Sequence, residues 1–105
     1  MRGDIYELRA NPHAKGHEQQ GRRYAVVLQS DTVPLSTVIA APTTTHSWGA
    51  SFHPEVELNG RSSRILIEQM VCVDPAIRFN RKVGRASPAE QADIDRAVKL
   101  VLGLF

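Results

Sequence analysis

Glu18, Arg22 and Arg23 fall within one hexapeptide, and Thr43, Thr44 and Thr45 stand in a row further along the chain. The first group offers a carboxylate and two guanidiniums, the second three hydroxyls. Arginine forks onto phosphate oxygens and stacks on bases, which lysine does poorly. Gathered in one pocket, these groups suit a reaction whose substrate carries its own nucleophile: attack of an RNA 2′-hydroxyl on the adjacent phosphate. That step needs a proton acceptor, a proton donor for the leaving 5′-oxygen, and positive charge against the phosphorane oxygens. Proton transfer contributes about 10²–10⁴-fold, and each preorganised donor aimed at the developing anion about 10²–10³-fold. Arg23 fits the charge role, and Thr43 can donate a hydrogen bond to a phosphate oxygen. A plainer reading makes Arg22 and Arg23 surface partners of Glu18 and Asp31, with the threonines capping a strand end. Residue types alone favour the plainer reading.

Other chemistries find little support. There is no CxxC, HExxH, P-loop or GxGxxG pattern. His13 and His17 are four apart, but Pro12 and Gly16 disfavour the helix that would align them on a metal. Both read as loop residues in water, and His46 and His53, which flank a second loop, read the same way. Cys72 sits in an apolar run and reads as a buried, inert thiol.

The elements that must position these groups are mostly strands. Asp4–Ala10 alternates as a strand with mixed faces, and Asn11–Gly21 is a long polar loop between turn formers. The run Tyr24–Gln29 is short, valine-rich and nearly all apolar, as expected of a strand buried on both faces. A turn over Ser30–Pro34 leads to a third strand, Ser36–Ala41, which Pro42 is expected to stop. Antiparallel pairing across that turn places Arg23 roughly opposite Ala41 to Thr43. Residues 43–51 read as a polar loop, Pro54–Leu58 as a strand, and Asn59-Gly60 as a tight turn. A long β-rich run, Arg64–Val73, is expected to break near Glu68-Gln69. Asp74–Ile77 reads as a turn and Arg78–Arg85 as a short basic strand. Ser87-Pro88-Ala89-Glu90 is a capping box with proline at the first helical position. Ile94, Ala97, Val98, Val101 and Leu102 then mark one apolar face of a helix over Pro88–Leu102, with Gly103 as its stop. Many short strands followed by one helix predict a small antiparallel sheet or barrel covered by that helix.

Composition sets the outer bounds. The 105 residues fit one domain, 1–105, and 42% hydrophobic with 23% charged is ordinary for a globular protein. No run of apolar residues is long enough for a membrane span, and the first residues lack the apolar core of a signal peptide. The single cysteine excludes an intrachain disulfide and suits a reducing cytoplasm. Net charge is only +2, yet ten of the thirteen cations are arginine. A pI near 9.0 is compatible with a nucleic-acid partner and with a generic basic domain alike.

Five segments in order resemble the MazF/PemK (Kid-like) family of toxin–antitoxin endoribonucleases. They are Arg2-Gly3-Asp4-Ile5-Tyr6, then Gly16–Asp31 (GHEQQGRRYAVVLQSD), then Val38–Thr45 (VIAAPTTT), then Glu68-Gln69 with Val73-Asp74, and finally Val83–Pro88 running into Asp95–Leu104. The resemblance implies a mostly β chain, an SH3-like β-barrel with a C-terminal helix, acting as a homodimer. It implies metal-independent, sequence-selective cleavage of single-stranded RNA, with no cofactor, and silencing by a cognate antitoxin. By position, Arg23 matches the family's catalytic arginine, Thr43 its conserved threonine with Thr44 as second choice, and Glu18 its loop acid, a candidate base. His17, Gln19, Arg22 and Thr44 would contact RNA. Trp48, Phe52 and Tyr24 are candidates to stack on a base, or else a loop, a core and a barrel residue respectively. The sequence departs from the family at Tyr24, where proline is usual. A CcdB-like gyrase poison on the same barrel is a second possibility, but its Trp-Gly-Ile end is here Gly103-Leu104-Phe105. An SH3-like nucleic-acid-binding module is a third.

Overall fold

In the computed structural model, which describes residues 1–9, 23–46 and 49–105, the chain forms seven strands and two helices. The strands are β1 (Asp4–Leu8), β2 (Arg23–Val27), β3 (Val38–Thr44), β4 (Glu55–Leu58), β5 (Arg61–Ile65), β6 (Val71–Val73) and β7 (Phe79–Arg85). The helices are α1 (Pro75–Arg78) and α2 (Pro88–Leu102), with a one-turn 3-10 helix at Ile67–Gln69. The sheet runs β4-β5-β3-β2-β1-β7, with β6 on the first half of β3. Every strand pairing among the described residues is antiparallel.

The apolar run in β2 is buried on both faces, as its composition requires. Val26 joins a core with Ile5, Ala41, Val56, Leu58, Ile65 and Ile67, closed by Ile94 and Ala97 of α2. Its neighbours Ala25 and Val27 point the other way, into a second core with Leu8, Val38, Ala40, Val73 and Phe79. Successive strand residues alternate faces, so β2 knits the two cores together. Tyr6 lies over this second core and stacks on Phe79 with ring centroids 4.6 Å apart. The sheet therefore curls into a half-barrel with the C-terminal helix across its inner face.

Helix α2 keeps its predicted bounds. Ser87 Oγ accepts from the Glu90 backbone N–H at 3.1 Å, and Glu90 Oε1 accepts from the Ser87 N–H at 2.8 Å. The other Glu90 oxygen accepts from the Glu57 N–H at 2.8 Å, so one carboxylate caps the helix and ties it to β4. Gly103 closes the helix in the left-handed region, φ 72°. Basic β7 is neutralised from β1: Arg85 and Lys82 reach buried Asp4 at 2.8 and 3.3 Å, and Asn80 bonds to buried Glu7.

Four expectations are corrected. β3 passes through Pro42 and ends at Thr44 instead of stopping at Ala41. Proline is tolerated because it sits where β3 changes partner: Ala40 to Pro42 pair with β2, while Thr43 and Thr44 pair with β5. The β-rich run past Gly60 begins at Arg61 instead of Arg64, while its break falls where expected, as the 3-10 turn at Ile67–Gln69 before β6. The expected turn at Asp74–Ile77 is a single helical turn, with Asp74 Oδ1 accepting from the Ala76 N–H at 3.0 Å. Cys72 is exposed, not buried. It lies on a three-residue strand of which only Val73 reaches a core, so the apolar run around it does not bury it.

Candidate functional site

The register of β2 on β3 sets Ala25 opposite Pro42 and Val26 opposite Ala41. Carried two steps further, it levels Arg23 with Thr44 and Tyr24 with Thr43, one residue away from the sequence-based register. At that level β3 has crossed to β5, where Thr43 faces Ile65 and Thr44 faces Arg64. The β4–β5 hairpin therefore rises beside the start of β2. Its turn uses Asn59 and Gly60 at φ 54° and 75°, the two positive values that a tight two-residue hairpin demands.

Between these walls lies a cleft of about 390 Å³. Arg23 and Tyr24 enter from β2, Thr43 and Thr44 from β3, Thr45 and His46 from the loop beyond it, and Asn59, Arg61 and Ser63 from the hairpin. Arg23 and Tyr24 are half-buried, Thr43 is only 3% exposed, and Thr44 is half-buried. Thr44 Oγ1 accepts from the His46 backbone N–H at 3.1 Å, which folds the chain back over the strand end. No carboxylate belongs to the described lining, while two guanidiniums do. Such a cleft favours an anion, and its hydroxyl and amide groups supply further donors.

The far end of the β3–β4 loop is anchored from below. His53 is 2% exposed, and its Nε2 lies 2.8 and 2.9 Å from the two Glu68 oxygens. Arg64 Nη1 donates to the His53 carbonyl at 3.0 Å and Nη2 pairs with Glu55 at 2.7 Å. His53 is thus a buried structural residue, correcting its reading as a loop residue in water. A buried imidazole needs such a partner, because an unpaired polar group costs free energy away from water. Phe52 is half-buried and packs edge-on against the His53 ring, with centroids 4.5 Å apart.

Arg23, Thr43 and Thr44 are therefore brought together. Glu18, Arg22, His17, Gln19 and Trp48 lie outside the described residues, as do His13 and the loop that carries them. Arg61, Ser63 and His46 line the cleft without having been selected from the sequence. The Asn59-Gly60 turn announces a hairpin, but nothing local says that this hairpin joins β3. Among the described residues no cluster of three or more histidine, cysteine or carboxylate side chains gathers as a metal site, and no helix is long and apolar enough to cross a membrane.

Among the described residues, two carboxylates have shifted pKa values, and both hold the N-terminus in place. The Arg2 backbone N–H, helped by the terminal ammonium, keeps Asp31 below the usual carboxylate range. Burial pushes Asp95 up, but hydrogen bonds from Arg2 and Gln91 and the charge of Arg2 outweigh it, so the net shift is downward.

A curled antiparallel sheet with a C-terminal helix and an arginine–threonine cleft at the strand ends is the frame of a small toxin. The chain belongs to the PemK-like, MazF-like toxin family of type II toxin–antitoxin systems, which it matches over residues 1–102. It is 35% identical over 104 residues to a candidate toxin of Mycobacterium tuberculosis, Rv3098A, covering 99% of this chain and 98% of that one. It is 32% identical over 111 residues to the endoribonuclease MazF of Staphylococcus epidermidis, covering 98% and 91%. The crystal structure of MazF from Deinococcus radiodurans superposes with a TM-score of 0.80 at 27% identity, over 97% of this chain and 94% of that one. A MazE–MazF structure from the same organism gives 0.74 at 29% identity, over 99% and 96%.

Proposed function

We propose that this chain is an endoribonuclease that cuts single-stranded RNA without a metal, by attack of the 2′-hydroxyl on the adjacent phosphate. The products are a 2′,3′-cyclic phosphate and a 5′-hydroxyl. The observation that carries this reading is the cleft in which Arg23, Thr43, Thr44 and Arg61 converge with no described carboxylate to repel a phosphate. A guanidinium fixed at the start of a strand is held rigidly against the phosphorane oxygens, where preorganisation counts most. Thr43 is the phosphate-orienting hydroxyl, and Arg23 supplies the charge. Glu18, by its place in the family motif, is a candidate base, and His17, Gln19, Arg22, Thr44 and Trp48 contribute RNA contacts. The S. epidermidis relative, named as an endoribonuclease, supports the activity, and the MazE–MazF structure of D. radiodurans supports an antitoxin partner. A homodimer acting in the cytoplasm completes the reading.

The test is incubation of the purified chain with a long single-stranded RNA in EDTA, followed by mapping of the new 5′ ends. Discrete cuts by wild type, absent in Arg23→Ala at an unchanged thermal midpoint, are the expected result. A well-folded wild type that leaves the RNA intact sinks the proposal.

A further inference from the structure

Catalysis by 2′-hydroxyl attack needs a group that takes a proton near neutral pH, and the described cleft contains one side chain of that type. We propose that His46, in place of the motif acid Glu18, is the base that accepts the proton of the attacking 2′-hydroxyl. The proposal rests on the endoribonuclease reading above and assigns a residue within it.

Three observations converge on His46. It lines the same cleft as Arg23, Thr43 and Thr44. Its backbone is fixed to the end of β3 by the 3.1 Å bond to Thr44 Oγ1, so the residue is held beside the two threonines. The described groups that share this cleft with it include Arg23 and Tyr24 from β2, Thr43 and Thr44 from β3, and Arg61 with Ser63 from the β4–β5 hairpin. None of these is a carboxylate. Arginine stays protonated and tyrosine, threonine and serine hold their protons at neutral pH, whereas imidazole exchanges one there. His46 is also exposed, so its ring is open to a bound strand of RNA.

The step balances as follows. The 2′-hydroxyl proton passes to an imidazole nitrogen of His46, and the O2′–P bond forms. The P–O5′ bond breaks, and the 5′-oxygen takes a proton from a water molecule. The imidazolium returns its proton to solvent, leaving the cyclic phosphate, the 5′-hydroxyl and the original enzyme. Arg23 and Arg61 hold the non-bridging oxygens throughout.

The experiment is single-turnover cleavage of a defined RNA in EDTA from pH 5 to pH 9, with wild type, His46→Gln, His46→Ala and Arg23→Ala. His46→Gln is expected to lower the rate by about 10²–10⁴-fold without moving the thermal midpoint. The dependence of wild-type rate on pH should differ from that of the variant, and free imidazole should restore part of the activity of His46→Ala. An RNA whose leaving 5′-oxygen is replaced by sulfur needs no proton at that atom, so on it the deficit of His46→Gln should persist. Recovery on that substrate would overturn the base assignment in favour of an acid. Near-wild-type cutting by His46→Gln, with Arg23→Ala inactive, would overturn the role of His46 and leave the endoribonuclease reading standing. No cutting by wild type would overturn both.

Discussion

At the scale of single residues, Arg23 and Tyr24 on β2 meet Thr43 and Thr44 on β3 across one strand pair, and Arg61 and Ser63 close the cleft from the hairpin beyond. Arg23 and the threonines were legible because a valine-rich strand, a turn and an alanine-rich strand must fold back on each other. Their meeting follows from a local hairpin. Arg61 and Ser63 were not legible, because they reach the cleft through pairing of β3 with β5, a contact between distant parts of the chain, and His46 was not, because the turn that folds it back at Thr44 has no clear mark in the sequence. His53 was misread because its partner, Glu68, is brought close only by the 3-10 turn after β5. The Arg2–Asp95 pair likewise joins the two ends of the sequence. Because the folded-state pKa of Asp95 is lowered, its contribution is fully present above the ordinary carboxylate value and is lost as pH falls through the lowered one. Thermal midpoints of wild type and Asp95→Asn should therefore differ at pH 6 and converge toward pH 2. A gap that stays constant across that range would show that the pair is not coupled to folding.

Elements explain why the site is rigid. Helix α2 was the clearest prediction because a capping box, a proline, a periodic apolar face and a terminal glycine all agree. Ser87→Ala should cost on the order of 1 kcal/mol in chemical denaturation and leave RNA cutting per folded molecule unchanged. Selective loss of activity at full stability would mean that the helix start communicates with the cleft. The loop from Thr45 to Pro54 depends on a different device, the buried His53 clasped by Glu68. Glu68→Ala withdraws a hydrogen-bond partner from a buried imidazole and should cost about 1–3 kcal/mol. It should also speed amide exchange at residues 49–53 ahead of global unfolding. Exchange that rises only with global unfolding would show that the clasp does not govern the loop. The strand bounds were harder to read than the helix. Pro42 looked like a stop because its missing N–H matters only when a partner needs it, and a change of partner at that position is a tertiary fact. Cys72 looked buried because an apolar run does not reveal that its strand lies at an edge.

For the whole molecule, fold class was legible from the order of elements, whereas the path of the sheet was not. No local rule places β1 between β2 and β7, or gives β3 three partners. That path has a consequence for the birth of the protein on the ribosome. Strand β1 must wait for the last strand, β7, before both its edges are paired, and the core that it shares is closed by Ile94 and Ala97 of α2. Arg23 and the threonines emerge early, but the frame that aims them is complete only when the final helix has docked. A chain that has made Arg23 and the threonines but not α2 thus holds the reactive groups without the frame that aims them.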